Sequence, residues 1–346
     1  MKKYSGVLFI GDPHITAIKP KRRIEEDYFS VSMGKLVKSL SVANENNLYP
    51  VILGDIVERP VEKGIVVSMI KALKGLKVPL NIGNHDVSTR RYFNHRRDSM
   101  VTDGLSDISI DIPDDTTVGV LNACDCIEVI NSIQERHVYL DDDTMIRLLF
   151  VPYGIPIPER YPEYQGDFIG NVRNVMITHH DINFGVGIQY PGSLKMFPIE
   201  NCELVVNGHI HDYKPPQEVG DTIWFNPGNI IRNSKSNSGN IPAVYSIGGD
   251  LSIERHVLDH KLLDDVYIND FDFNQYSTDG EVGETLENFS SKFVSNFNLL
   301  EDDKTEDGSA ISEVLIDHFS ESPASNSAIP EVLFDLLDRV KEAEKG

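Results

Sequence analysis

The chain's 346 residues exceed what one hydrophobic core usually organises, so a large domain with a smaller appendage is expected. With 40% hydrophobic, 8% aromatic and 25% charged residues, the composition excludes a wholly disordered or fibrous chain. The longest apolar runs, such as Gly6–Ile10, are far too short to cross a bilayer. Lys2 and Lys3 mimic the start of a signal peptide, but Asp12 ends the apolar run and no small-residue cleavage site follows. A cytoplasmic protein without a membrane partner is expected. Cys124, Cys126 and Cys202 cannot build a disulfide framework, and the Cys124-Asp125-Cys126 pair has no second pair to complete a zinc or iron–sulfur site. Reduced thiols are expected.

The net charge is −22, and it is unevenly spread. Residues 261–346 carry 21 acidic against 6 basic side chains, whereas residues 1–260 carry 33 against 26. Strong acidity argues against nucleic acid as a partner, but here the argument bears mainly on the tail.

The first strand-like run is Gly6–Ile10. Phe29, Met33, Leu36, Val37 and Leu40 then fall at helical spacing, ahead of a second run at 49–53. Residues 65–76 read as another helix, and 79–82, 146–152, 175–178 and 204–207 as strands. This alternation predicts an α/β domain with helices packed on sheet faces. The last runs, over 223–257, have little helix between them and read as hairpins. Past His260 the chain turns acidic and turn-rich over 264–283. Leu286, Phe289, Phe293, Val294 and Phe297 then give a helical face, followed by a charged loop over 301–310 and a small-residue linker over 320–327. The segment 329–343 sets Ile329, Val332, Leu333, Leu336, Leu337, Val340 and Ala343 on one stripe, with Pro330 suited to a first helical turn.

Five polar motifs stand where apolar strands end: Gly11-Asp12-Pro13-His14, Gly54-Asp55, Gly83-Asn84-His85-Asp86, His179-His180 and Gly208-His209-Ile210-His211. In open α/β sheets, ligands gather at the carboxyl ends of strands. Singly, each motif is weak: a Gly-Asp is usually a turn, and a lone buried histidine is usually a hydrogen-bonded structural group. Together they hold six of the eleven histidines. Asp12 and His14, like His209 and His211, are two apart, and in an extended segment such pairs point to one side and can chelate together. The donors are carboxylate, imidazole and one carboxamide with no thiolate, a set suited to Mn, Fe, Zn or Ni. Seven such groups are too many for one ion but fit two with a shared carboxylate. Ions about 3.5–4 Å apart can lower the pKa of a water and clamp a phosphoryl group.

In this order the five motifs resemble the calcineurin-like metallophosphoesterase superfamily, whose pattern is D-x-H, G-D, G-N-H-D/E, H and G-H-x-H, over about residues 5–230. The resemblance implies a two-sheet α/β sandwich flanked by helices and two divalent ions, Mn2+ foremost, with Fe, Zn or Ni as alternatives. One ion would take Asp12, His14, Asp55 and His211; the other would take Asp55, Asn84, His179 and His209, with Asp55 bridging. His85 matches the family's non-ligand histidine, which contacts the phosphate and can protonate the leaving group. In the fourth motif His179 is preferred to His180 because it comes first after its strand.

Asp86 disfavours the Ser/Thr protein phosphatases, which have glutamate there. Residues 146–156 resemble the Pro-Tyr strand end of the SbcD-type DNA-repair nuclease subunits, and 225–229 resemble that group's Pro-Gly-Ser turn with Asn229 in place of serine. The likeness implies a DNA exo- or endonuclease with three parts. Residues 1–258 would form the catalytic domain, 259–321 a small acidic capping-like domain, and 322–346 a linker and partner-docking helix. The partners implied are DNA, an SbcC-like coiled-coil ABC ATPase docked on the C-terminal helix, and optionally a second copy of the chain. Lys19, Lys21, Arg22 and Arg23 follow the first motif, and Arg90, Arg91, Arg96 and Arg97 follow the third together with Tyr92 and Phe93. These would bring cations and aromatics to the rim for phosphates and unpaired bases. The bland alternative pairs those arginines with surface carboxylates. Two other functions stay open: a small-molecule phosphoesterase such as a cyclic-nucleotide phosphodiesterase, and a non-catalytic protein-binding scaffold. The terminal stripe could likewise pack on its own protein.

Overall fold

The computed structural model describes residues 2–20, 23–25, 27–62, 64–87, 108–185, 193–232, 240–262 and 265–266. The described residues fall in the first of two units, Met1–Phe271; the second is Asp272–Gly346. The second unit lies outside the described residues, and with it the expected helices over 286–297 and 329–343, the charged loop and the linker. Lys21, Arg22, Arg90, Arg91, Tyr92, Phe93, Arg96 and Arg97 lie outside them as well.

The elements in chain order are β1 (Gly6–Ile10), α1 (Tyr28–Glu45), β2 (Leu48–Ile52), α2 (Val66–Leu73), β3 (Val78–Asn81), α3 (Thr117–Ala123), β4 (Ile127–Ile130) and β5 (Gln134–Tyr139). There follow β6 (Thr144–Val151), β7 (Asn171–His179), β8 (Ile182–Asn183), β9 (Leu194–Lys195), β10 (Leu204–Gly208), β11 (Lys214–Val219), β12 (Thr222–Asn226), β13 (Ala243–Ile247) and β14 (Ile253–Val257). Two six-stranded mixed sheets result, ordered β14-β13-β1-β2-β3-β4 and β11-β12-β10-β7-β6-β5. Within them β1-β2-β3-β4 and β6-β7-β10-β12 are parallel, and β13, β14, β5 and β11 run antiparallel to their neighbours.

The central parallel strands are continuous apolar runs because both faces are covered. Val7, Phe9 and Val51 of the first sheet pack on Leu148, Phe150, Val175, Ile177, Val206 and Phe225 of the second. The alternate residues Leu8, Ile10 and Ile52 face Met33 and Leu36 of α1. Asp27 caps α1 by accepting from the Ser30 amide at 2.9 Å. Among the described residues, α1 contacts β1 and β2, α3 contacts β4, and α2 contacts α3, so the helices serve the first sheet. Beyond the second sheet, Trp224 is buried against Phe197 and donates its indole N–H to the Phe197 carbonyl at 3.0 Å.

The two-sheet α/β expectation holds, and the hairpin reading of 223–257 holds for β13 and β14, which pair antiparallel. The runs 223–225 and Ala243–Ile247 do not pair with each other, because β12 and β13 belong to opposite sheets. Each instead pairs antiparallel with a polar strand the pattern hides: β11 for β12, and β14 for β13.

Candidate metal centre

Parallel strands bring their carboxyl ends together, and the sandwich places the ends of both sheets face to face. Asp12 and His14 follow β1, Asp55 follows β2, Asn84 and His85 follow β3, His179 closes β7, and His209 and His211 follow β10. Two groups form. Asp12, His14 and His211 offer donor atoms within 4.8 Å of one another, as do Asp55, His179 and His209. Asp55 Oδ2 lies 3.1 Å from His179 Nε2 and 3.8 Å from His14 Nε2, which sets this carboxylate between the groups. Asn84 Oδ1 lies 2.9 Å from His209 Nδ1 and 3.3 Å from His179 Nε2. His14 and His211 approach Nε2 to Nε2 at 2.9 Å. The structure therefore brings all seven sequence-selected donors to one place.

The local backbone differs from the extended segments expected around Asp12–His14 and His209–His211. His14, Asp55 and His209 adopt φ of 44°, 46° and 75°, in the left-handed region that non-glycine residues avoid. In consequence His209 and His211 turn to different groups rather than chelating together. Close packing needs glycine at two points: a Cβ on Gly54 would strike the His179 ring, and one on Gly83 would strike the Asp55 carboxylate.

His180 points elsewhere. Its Nε2 lies 2.9 Å from the Ile155 carbonyl, while His179 Nδ1 lies 3.1 Å from the Leu53 carbonyl and leaves Nε2 facing Asp55 and Asn84. His85 donates its amide to Asp55 Oδ1 at 2.8 Å, and its Nδ1 lies 2.8 Å from the Glu58 carbonyl, which leaves Nε2 as the nitrogen free to exchange a proton. Arg23 is a correction. It is 4% exposed, forms a two-bond pair with Glu25 and donates to the Arg232 carbonyl, so it is not a rim cation. Burial without a counter-charge is too costly for a guanidinium, and Glu25 supplies the counter-charge. Lys19 is exposed, as is Arg59 next to Glu58.

Three roles escape a reading of the sequence alone, although Asp86 stands in the third motif and Tyr153 in the Pro-Tyr strand end. Glu58 forms a third group with His14 and His85; its Oε2 lies 2.9 Å from His14 Nδ1, off the axis of an ideal hydrogen bond. Asp86 is fully buried and accepts from the amides of Asp55 (2.9 Å), Ile56 (3.0 Å) and Gly83 (3.0 Å), tying the second motif to the third. The Tyr153 ring lies 5.6 Å from that of His209 and 6.2 Å from that of His179. Only the Gly-Asp-x-x-Glu spacing of Gly54 to Glu58 and the Pro152-Tyr153 pair hint at these roles in the sequence.

The electrostatics complement a cation. Burial opposes charge on His14 and His179, but Glu58, Asp55 and Asp12 around the first, and Asp55 and Asp12 around the second, raise both to about 9. Burial, then the charge of His179, pushes His209 down to about 3; burial and His14 likewise push His211 well down. Asp55 is held low by His179 and His85 in spite of burial. Burial and the Asp55 charge push Asp86 up to about 7. Both carboxylate oxygens of Asp12 are buried without a hydrogen-bond partner. An orphaned buried carboxylate among imidazole and carboxamide acceptors is a cost that a divalent ion removes, so the residues present fit a metal. No helix among the described residues is long and apolar enough to cross a membrane.

No curated protein matches the chain. The family model of the calcineurin-like phosphoesterases matches residues 6–213, from the start of β1 to just beyond His211. That span contains every strand-end motif and both donor groups, and it is more than half of the sequence: the chain belongs to the calcineurin-like phosphoesterase family.

Proposed function

We propose that this metallophosphoesterase hydrolyses DNA phosphodiester bonds, as the nuclease subunit of an SbcCD-like recombination and repair complex. The observation that carries the phosphodiester chemistry is the pair of donor groups with Asp55 between them. Asp12, His14 and His211 would hold one divalent ion, Asn84, His179 and His209 the other, and Asp55 both; Mn2+ is the leading candidate. When bound, such ions activate water and neutralise charge building on a phosphoryl group. His85, bonded to Asp55 and Glu58 through its amide and Nδ1, would present Nε2 to the departing oxygen as an acid. Asp86 would keep the second and third motifs in register by holding three amides.

DNA is favoured over a small phosphodiester by three features. Residues 146–156 and 225–229 resemble the SbcD-type nucleases, Arg90, Arg91, Arg96 and Arg97 directly follow the third motif, and Tyr153 lies against the site's imidazoles as a surface on which a base could stack. The helical stripe over 329–343 would dock on a coiled-coil ATPase, with the small-residue linker giving it reach.

The test is to incubate the pure protein with Mn2+ and compare linear duplex DNA, single-stranded DNA, bis-p-nitrophenyl phosphate and cyclic AMP. Metal-dependent DNA cleavage is expected. Replacing the four arginines with alanine should lower it, flatten its salt slope by about one unit per lost phosphate contact, and spare bis-p-nitrophenyl phosphate. Hydrolysis of cyclic AMP without DNA cleavage would replace the nuclease reading with a small-molecule one. Deletion of 328–346 should abolish ATPase association while leaving small-substrate hydrolysis intact.

A further inference from the structure

Behind the imidazoles, two carboxamides are fully buried at the ends of neighbouring strands: Asn207 on β10 and Asn226 on β12. Asn226 Nδ2 donates to the Ile210 carbonyl at 2.7 Å and to the Asp212 carbonyl at 2.8 Å. Those peptides flank His211. Asn226 Oδ1 in turn accepts from Asn207 Nδ2 at 3.2 Å. Asn207 continues to the strand that bears His179: its Oδ1 accepts from the His180 amide at 3.0 Å and the Thr178 hydroxyl at 2.7 Å, and its Nδ2 donates to the His180 carbonyl at 3.0 Å.

The chain leaves the sheet at His209, whose left-handed φ of 75° ends the ladder with β7. Beyond that point no strand among the described residues holds the His209–Asp212 loop, which besides Asn226 receives the Asn229 amide on the His211 carbonyl at 3.0 Å, although His211 must meet Asp12 and His14. Both amide hydrogens of Asn226 are spent on this one turn of chain, gripping it on either side of His211. A buried carboxamide is costly unless fully bonded, and here every donor and acceptor serves a segment that carries a donor histidine. From this geometry we propose that Asn226 is the positioning residue for the Asp12–His14–His211 side of the centre, and that Asn207 ties it to the strand end bearing His179. The inference rests on the two-metal reading, and it makes the support of the centre asymmetric.

The test compares wild type with Asn226→Ala and Asn226→Asp in the full-length protein, using Mn2+ itself as the probe. Groups that orient metal ligands typically cost 10–100-fold in affinity when removed, so Asn226→Ala should weaken one of two ions by about 10–100-fold and leave the other near wild type. In a paramagnetic-resonance titration, wild type should show a spin-coupled pair. The variant should show the hyperfine-split signal of an isolated ion over the same Mn2+ range. Asn226→Asp keeps the shape but turns an oxygen toward two carbonyl oxygens, so it should bind the second ion no better than Asn226→Ala. A packing role predicts the reverse order. The metal-free melting temperature, read alongside, separates a lost ligand position from a lost fold. Wild type binding two ions with Asn226→Ala unchanged in both affinities would overturn the positioning role of Asn226 alone. Wild type binding a single ion would overturn the two-metal reading, and the asymmetry with it.

Discussion

Where the parallel strands begin, Arg173 meets Glu203 at 2.7 Å and Lys3 meets Asp143 at 2.9 Å, each side chain at least one-third exposed. Where the same strands finish, Asp12 and Asp55 are 1% exposed, and no lysine or arginine pairs with either among the described residues. Imidazoles, backbone amides and a carboxamide face them instead. A guanidinium or ammonium beside a buried carboxylate would neutralise it permanently, whereas an imidazole can release its proton to solvent when a cation arrives. The two ends thus use the same kind of acidic side chain for opposite purposes, and burial with the choice of partner decides which. A groove of about 1170 Å3 opens at the first end, walled by Glu159, Glu163, Glu203 and Asp221, and contains none of the strand-end motifs.

The sharpest way to break this contrast is Asp55→Asn, which removes the carboxylate between the two donor groups. It should abolish phosphoester hydrolysis and lower metal content by mass spectrometry, with circular dichroism unchanged. Full activity at unchanged metal stoichiometry would end the shared-carboxylate assignment. His85→Ala comes next. Both ions should remain, and turnover should fall by about 10²–10⁴-fold on DNA but less on bis-p-nitrophenyl phosphate, whose leaving group needs little protonation. Equal losses on the two substrates would mean that His85 positions and does not protonate.

A smaller, graded effect follows from His14 and His179, both raised to about 9 without metal. Their raised values mean that both are protonated below pH 9, so metal must displace those protons. Affinity should rise with pH up to about 9, by at most about tenfold per pH unit for each proton released. Calorimetry in buffers of different ionisation enthalpy would count the protons. Because these folded-state values are raised, the stability they lend the metal-free protein is complete below pH 6.5 and is lost as pH rises through about 9. Thermal melts of metal-free protein on either side of pH 9 would show this loss. At the far end, Arg173→Ala should cost about 0–1 kcal/mol of stability, because that pair is partly solvated, and should leave hydrolysis untouched. A large loss of activity there would show that the two ends are not independent.

Much of this was legible from residue order. Strands buried on both faces must be apolar throughout, so β1, β2, β3, β7 and β10 announce themselves, and each hands the chain to a polar motif at its end. Outer strands carry no such signal. β5 reads Gln-Glu-Arg-His-Val-Tyr with only Val138 buried, and β11 contains Pro215 and Pro216, which an edge strand tolerates and an interior one does not. The short helix α3 likewise has too few residues to show a period.

The sequence by itself determined the donor chemistry and the order of the motifs, because strand ends and residue types are local properties of the chain; the two-sheet sandwich that gathers them was implied by the family resemblance. The division of those donors into two groups came with the family resemblance, and the tertiary structure supplies its physical means. His209 and His211 are two residues apart, yet they part because a left-handed φ turns one away from the other. The tertiary structure sets His179, the histidine already preferred from its place after the strand, to face Asp55 and sends His180 to the Ile155 carbonyl. Arg23 left the rim for a buried pair with Glu25, while Glu58, Asp86, Tyr153 and Asn226 came to the centre from other parts of the chain. These choices depend on contacts between residues far apart in sequence and on burial. Both exist only once two sheets have closed on one another.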